Sequence, residues 1–264
     1  MLIIGERLNS SNPSIKEIFE ERDEAKLLAM AEAQVSAGAF ALDLNAGLLM
    51  EKEREALLWA ARTIRSELDT VISLDTPQSD ILLGSAEEFG KGAILNSFTA
   101  DEGEVEKAVE ASVRAGASII IMLKSRDGIP ATVMSRLELA SRVSAIVGRA
   151  GLDASRVFLD PVLMPLATAQ EGLEVALDTI EGLRDNFPNF RSVGGISNVS
   201  FGLPRRRIVN RVFLAMAISR GLDAAICDPT DPDIIWTLKA AEAASGSDPG
   251  CKAFIAHHRS SGDS

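Results

Sequence analysis

The 264 residues predict an α/β fold, a single-domain (β/α)8 barrel, and three observations carry that expectation. Short branched apolar runs alternate with longer segments of helical spacing, and the alternation repeats eight times along the sequence. No shift in composition interrupts the repeat. A chain that is 46% hydrophobic has enough apolar side chains for one large core at a length such barrels reach. Eight evenly spaced βα units favour closure over an open doubly wound sheet, the other arrangement of the same elements.

LIIGE (2–6) is the first strand candidate; MLIIGERLN has neither the basic start nor the small-residue cleavage pattern of a signal peptide. Segment 24–38 places Leu27, Met30, Ala31, Gln34 and Val35 near one helical stripe and stops at Gly38. FALDLN (40–45) is the second strand, followed by helix 54–68, and TVISLD (70–75) is the third, followed by the short helix 80–90. GAILNS (92–97) leads to helix 104–116, and SIIIML (118–123) leads to helix 136–151. Those two helices stop at Gly116 and Gly151, each a few residues before the next strand, as short αβ loops demand. VFLD (157–160) precedes helix 173–187, SVGGISN (192–198) precedes helix 208–221, and AAICD (224–228) precedes helix 233–246. The remainder, 247–264, is small and polar at its end and is expected to fray, so the barrel is assigned to 1–246.

Composition excludes whole classes of function. A formal charge of -11 and a pI near 4.8 argue against a general nucleic-acid binder, which needs a basic face, so any anion site is local. Cys227 and Cys251 are too few for a disulfide framework and no C-x-x-C occurs, which points to a reducing compartment. No stretch approaches the ~20 apolar residues of a membrane span. A cytoplasmic location is expected.

In a barrel of this kind chemistry sits at the carboxyl ends of the strands. The side chains closing the apolar runs are Glu6 and Asn9, Asp43 and Asn45, Asp75, Asn96 and Ser97, Lys124, Asp160, Ser197 and Asn198, and Asp228. Taken singly, each reads as a helix cap or Asx-turn, Asp160 before Pro161 and Asp228 before Pro229 especially. Asp43, Asp75, Asn96, Asp160 and Asn198, however, all end strands expected to surround one mouth, which favours a concave site.

The chemistry open to those side chains is restricted. Both histidines, His257 and His258, lie in the tail, which argues against a zinc hydrolase and leaves no Ser-His-Asp nucleophile. Asp43, Asp75 and Asp160 alone could hold magnesium for a phosphorylated substrate. The interleaved amides suit a flat heterocycle better, with Asp75 accepting two N–H bonds from an aminopyrimidinone edge that Asn96 complements.

Several ordered motifs then resemble a known family. IIGERLN (3–9), ALDLNAG (41–47), SLDT (73–76), ILNSF (94–98), FLDP (158–161), GISNVSFG (195–202) and NRVFLAMAISRGLDAAI (210–226) are similar to the pterin-binding TIM-barrel methyltransferases that move a methyl group from N5 of 5-methyltetrahydrofolate to a corrinoid protein. The resemblance spans nearly the whole chain. It implies that Asp75, Asn96 and Asp160 recognise the pterin, with Gly195 and Ser197 beside them, and that Asn198 reaches N5. It implies an arginine near the benzoyl-glutamate end, which falls on Arg206 with Arg205 and Arg207 as neighbouring registers. Phe201 stands where some relatives carry a polar residue.

A tertiary amine leaves poorly, so N5 needs a proton or a strong hydrogen bond as the methyl passes to Co(I). Asn198 can donate to N5 or accept from N5–H+, since an amide does both. Asp43 and Asp160 are candidates for ordering the proton, which is expected to arrive through water. Gly194 and Gly195 are expected to let a flat pterin approach the backbone. The run Arg205 to Arg207 precedes a helix whose dipole disfavours cations, so it either faces an anion, on the folate tail or on a partner, or is a solvated loop.

No D-x-H-x-x-G cobalamin signature occurs, so cobalamin is expected on a separate corrinoid protein, and the resemblance suggests a homodimer. Dihydropteroate synthase would use Asp75, Asn96 and Asp160 as well, but it needs a lysine and a serine-arginine pair at strand seven, where this chain reads ISNVS. The same motifs also fit a non-catalytic folate-binding module or one piece of a larger methionine synthase. The start on strand one favours a stand-alone subunit.

Overall fold

A computed structural model describes residues 1–261. Its eight strands are β1 (Leu2–Asn9), β2 (Ala41–Asn45), β3 (Val71–Asp75), β4 (Ala93–Thr99), β5 (Ser118–Met122), β6 (Val157–Asp160), β7 (Arg191–Gly195) and β8 (Ala224–Cys227). They pair in parallel and in sequence order, and β1 closes on β8, so the barrel the periodicity predicts is present.

The helices are α1 (Pro13–Glu21), α2 (Glu24–Ser36), α3 (Glu53–Glu67), α4 (Ser79–Phe89), α5 (Glu102–Ala115), α6 (Val133–Ala150), α7 (Gln170–Asn186), α8 (Ile196–Val199), α9 (Arg206–Arg220), α10 (Pro232–Ala244) and α11 (Lys252–Ser261). α5 and α6 end where expected, on Gly116 and Gly151 in the left-handed region with φ of 85° and 65°. α1 is an addition to the expected helices; Asn12 caps it by accepting from the Ser14 N–H, and Pro13 occupies its first turn.

Alternation along the strands divides the barrel interior into layers. Ile4, Ala41, Ile94, Ile120, Phe158, Val193 and Ala224 form one apolar cluster inside the barrel. Two residues further along the same strands stand Glu6, Asp43, Asn96, Met122, Asp160, Gly195 and Ile226. The interior therefore changes from hydrocarbon to polar within one strand period. Outside the barrel, apolar side chains of the strands pack against the helices in two further clusters.

Two expectations are corrected. β7 ends at Gly195, and α8 takes the place of the last strand residues, so Asn198 lies on a helical turn and not at a strand end. Ile196 and Val199, three apart, are both fully buried, a spacing one helical face satisfies and a strand would split between opposite faces. The tail also departs from the frayed segment expected: residues 252–261 form α11, which docks on α10 with Trp236 stacked edgewise on Phe254 at 5.5 Å and His257 at 4.6 Å. The end of the expected fraying, 262–264, lies outside the described residues.

Candidate active site

Two strands bulge where the polar layer begins. On β1, Gly5 pairs with Leu42 but Leu8 pairs with Leu44, so one extra residue falls at Glu6–Arg7. On β4, Leu95 pairs with Ile119 but Phe98 pairs with Ile121, placing the extra residue at Asn96–Ser97, whose peptide is cis. Bulges re-aim side chains and strand a ladder group. The Arg7 N–H so released donates to Gln34 Oε1 at 3.0 Å. Gln34, grouped by spacing with the apolar stripe of α2, is fully buried and satisfies that donor.

Asp43 sits at the centre of the polar layer. Its Oδ1 accepts from Ser73 Oγ at 2.5 Å and from Asn96 Nδ2 at 3.0 Å, which fixes the Asn96 amide with its carbonyl turned away from the carboxylate. Burial, with the charge of Asp75 added to it, holds the Asp43 carboxyl well above its ordinary value. At the rim, Asp75 Oδ2 accepts from Asn45 Nδ2 at 2.8 Å. Burial raises the Asp75 carboxyl, and the Asn45 hydrogen bond opposes that rise.

Asp160 serves two purposes at once. Its Oδ1 accepts from the Val162 N–H at 2.7 Å, the Asx-turn expected ahead of Pro161. That bond holds Val162 at a φ of 64°, a conformation costly for a β-branched residue. The carboxyl also faces the barrel interior, where burial pushes it up to about 6 against the turn hydrogen bond and the charges of Arg136 and Lys124. Arg136 is itself buried and donates to the Pro161 carbonyl at 2.5 Å, bracing the turn from below. Asp228 is tied down more simply, accepting from Thr230 N at 2.9 Å and Thr230 Oγ1 at 2.6 Å in the turn expected of it.

At the end of β7 the two glycines make room for the protein's own side chains. A Cβ on Gly194 would lie 2.9 Å from Leu163 Cδ1, and one on Gly195 would lie 2.9 Å from Asn198 Nδ2. The Asn198 amide therefore folds back over Gly195 toward the barrel axis. Ser197, the preceding residue, donates to Glu6 Oε1 across the mouth. Arg206 Nη2 donates to the Ser197 carbonyl at 2.8 Å and its Nε to Ser200 Oγ at 3.1 Å. Of the three arginines, Arg206 is the one bonded to the α8 turn; Arg205 is an exposed left-handed cap, and Arg207 turns to Asp231 at 3.8 Å.

The structure thus gathers Asp43, Asp75, Asn96 and Asp160 around one mouth and brings Ser197 and Asn198 over it on α8, with Arg206 behind them. Glu6, which sequence reasoning places at a strand end without carrying it into the site, joins them. The period of two that puts Asp43 above Ala41 puts Glu6 above Ile4, and that signal is present in the sequence. Burial raises the Glu6 carboxyl to about 7, opposed by the Ser197 hydrogen bond. The ring offers carboxyls and amides in alternation, a set that reads a flat ligand with donors and acceptors on its edge. Among the described residues no group of three or more His, Cys, Asp or Glu side chains is placed to hold a metal ion, so Asp43, Asp75 and Asp160 do not converge on one cation.

Comparison with known proteins adds to this geometry. Residues 5–228 match the family described as pterin binding enzyme. The chain is 31% identical over 256 residues to the methylcorrinoid:tetrahydrofolate methyltransferase of Eubacterium limosum, covering 96% of this chain and 94% of that protein. It is 28% identical over 239 residues to methionine synthase of Mycobacterium tuberculosis, covering 86% of this chain but 20% of that longer protein. Among solved structures, dihydropteroate synthase of Yersinia pestis superposes with a TM-score of 0.66 at 17% identity, covering 92% of both chains, a likeness of fold.

Proposed function

The chain belongs to the pterin-binding enzyme family, and from that premise we propose how its barrel mouth works. It is a methyltransferase that moves a methyl group between N5 of 5-methyltetrahydrofolate and the cobalt of a corrinoid carried by a separate protein. One observation carries this reading: the inward ring of carboxyls and amides belongs to a chain matching a methylcorrinoid:tetrahydrofolate methyltransferase almost end to end.

In our reading Asp75 accepts from the aminopyrimidinone edge, with Asn45 holding its other oxygen and Asn96 presenting its amide alongside. Asp160, anchored by its turn, is the second pterin carboxyl, while Gly195 and Ser197 line the floor and the wall. Asn198 is the amide at N5; its fold over Gly195 supports that placement. Arg206 sits where the benzoyl-glutamate end would leave the mouth, and Asp43 acts through Asn96. The corrinoid approaches the open carboxyl end of the barrel.

Residues 1–246 are assigned to the catalytic barrel and 247–264 to an appended tail. A homodimer is supported by Ile208, Val212 and Met216, all exposed at a spacing of four on one face of α9. Among the described residues no helix is long and apolar enough to cross a membrane, and we assign the protein to the cytoplasm.

The test is spectroscopic. Mixing the protein with 5-methyltetrahydrofolate and reduced cob(I)alamin is expected to convert the Co(I) spectrum to that of methylcobalamin. Folate binding with no such conversion would instead fit a non-catalytic folate module.

A further inference from the structure

A cavity of about 270 Å³ lies behind the α8 turn, between the ends of β1 and β8 and the helices α9 and α10. Glu6, Ser197, Arg206, Asn210 and Asp228 line it, so Glu6 belongs both to the interior polar layer and to this second space. Asn210 Oδ1 is buried there without a hydrogen-bond partner. A buried acceptor costs free energy unless water or a donor reaches it. The space is polar and has room for several water molecules at about 30 Å³ each, with enough partners to hold them. Arg207, whose side chain is 81% exposed, stands on its outer wall, so the cavity meets solvent there.

The carboxyls of the site differ in their access to that water. Asp43 is closed in by Ser73 and Asn96, and Asp160 is committed to the Val162 turn. Asp75 is tied to Asn45 at the rim, so Glu6 alone among the four lines the cavity, and it touches Ser197, the neighbour of Asn198. The geometry points to Glu6 as a proton relay, which draws a proton from water held against Asn210 and passes it through Ser197 to the reacting nitrogen beside Asn198. This inference rests on the methyl-transfer reading above.

The step balances. The N5–methyl bond breaks with its electron pair remaining on N5, the methyl carbon bonds to Co(I), which becomes Co(III), and N5 takes the proton that Glu6 gives up. Glu6 is left as a carboxylate and regains a proton through the cavity; the reverse reaction runs the proton outward. The groups facing Glu6 suit a carboxyl that changes charge near neutrality: Arg206 and Arg207 from α9, Cys227 and Asp228 from β8 and its end, Asp231 from the start of α10, and Asp43 from β2. Burial is the largest influence and holds the carboxyl at about 7, with Asp228 raising it and the Ser197 bond and Arg206 lowering it.

Glu6→Gln keeps the size of the side chain and a hydrogen bond to Ser197 but has no proton to give. Single-turnover methylation of cob(I)alamin from 5-methyltetrahydrofolate, followed by stopped flow between about pH 5.5 and about pH 8.5, is expected to show a wild-type rate that falls through an inflection near neutrality. The variant is expected to be slower by about a hundredfold at the acid end, with the inflection gone and folate affinity by calorimetry within about twofold. Asn210→Leu removes the buried acceptor that would hold the water and is expected to slow transfer while leaving folate affinity unchanged. A Glu6→Gln rate within about twofold of wild type, with the inflection retained, would overturn the relay and leave Glu6 a structural support of the turn. Should Glu6→Gln fail to fold by circular dichroism, Asn210→Leu decides, and a rate equal to wild type at every pH overturns the relay. A wild-type protein that binds folate but methylates no cobalamin at any pH refutes the methyl-transfer reading itself.

Discussion

The lower and upper halves of the barrel interior are built from the same strands by the same alternation, yet they do opposite things. Ile4, Ala41, Ile94, Ile120, Phe158, Val193 and Ala224 fill the lower half with hydrocarbon. One period along, Glu6, Asp43, Asn96 and Asp160 bury acids and an amide, and burial raises each of those three carboxyls. The lower layer stabilises the fold, whereas the upper layer costs stability and, in the reading proposed above, holds the groups that meet the ligand. The contrast shows how little separates scaffold from site in this architecture: two residues along a strand.

The sharpest way to break the lower layer is Phe158→Ala. Phe158 is 1% exposed and its ring lies 5.5 Å from the Arg191 guanidinium. The loss is expected to be about 3–5 kcal/mol by urea denaturation, with the polar ring and folate affinity little altered in the protein that remains folded. Loss of folate binding at full stability would reverse the assignment of the two layers.

Asn198→Ala tests the upper layer where it meets the chemistry. Positioned contacts at the transition state are worth about 3 kcal/mol, so turnover is expected to fall about a hundredfold while folate affinity falls less. An unchanged rate of corrinoid methylation would remove Asn198 from N5.

The smallest effect is the stability profile with pH. Glu6 and Asp160 titrate at about 7 and about 6 when folded, above their ordinary carboxyl values of 4.5 and 3.8. As pH rises the unfolded chain ionises first, so the stability these groups contribute is complete below those ordinary values and is lost as pH climbs through the folded ones. Urea midpoints are expected to fall between about pH 6 and about pH 8 by the equivalent of roughly 2 kcal/mol. A flat profile would mean that the two carboxyls are as well solvated as free ones.

Much of this is legible in the sequence because strand and helix leave different periods. The positions of Asp75 and Asp160 at strand ends can be counted directly from SLDT and FLDP, whereas Asp43 and Asn96, expected at strand ends too, stand in mid-strand because β2 runs on to Asn45 and β4 to Thr99. Gln34 is not legible in the same way, because a buried amide serving a bulge has the same spacing as a core residue. Nor is α11, because its dock on Trp236 is a contact between segments of the chain, which composition does not record.

The sequence by itself determined the eight-fold alternation, the closure it favours and the ring of acids and amides at one end, since side-chain periodicity and strand order are local properties. The tertiary structure alone decided which of those groups touch: the bulge that hands the Arg7 N–H to Gln34, the turn of α8 that lays Asn198 over Gly195, and the bond from Ser197 to Glu6 across 191 residues of chain. Register shifts and hydrogen bonds between distant segments depend on the packing of the whole barrel, and no window of sequence contains them.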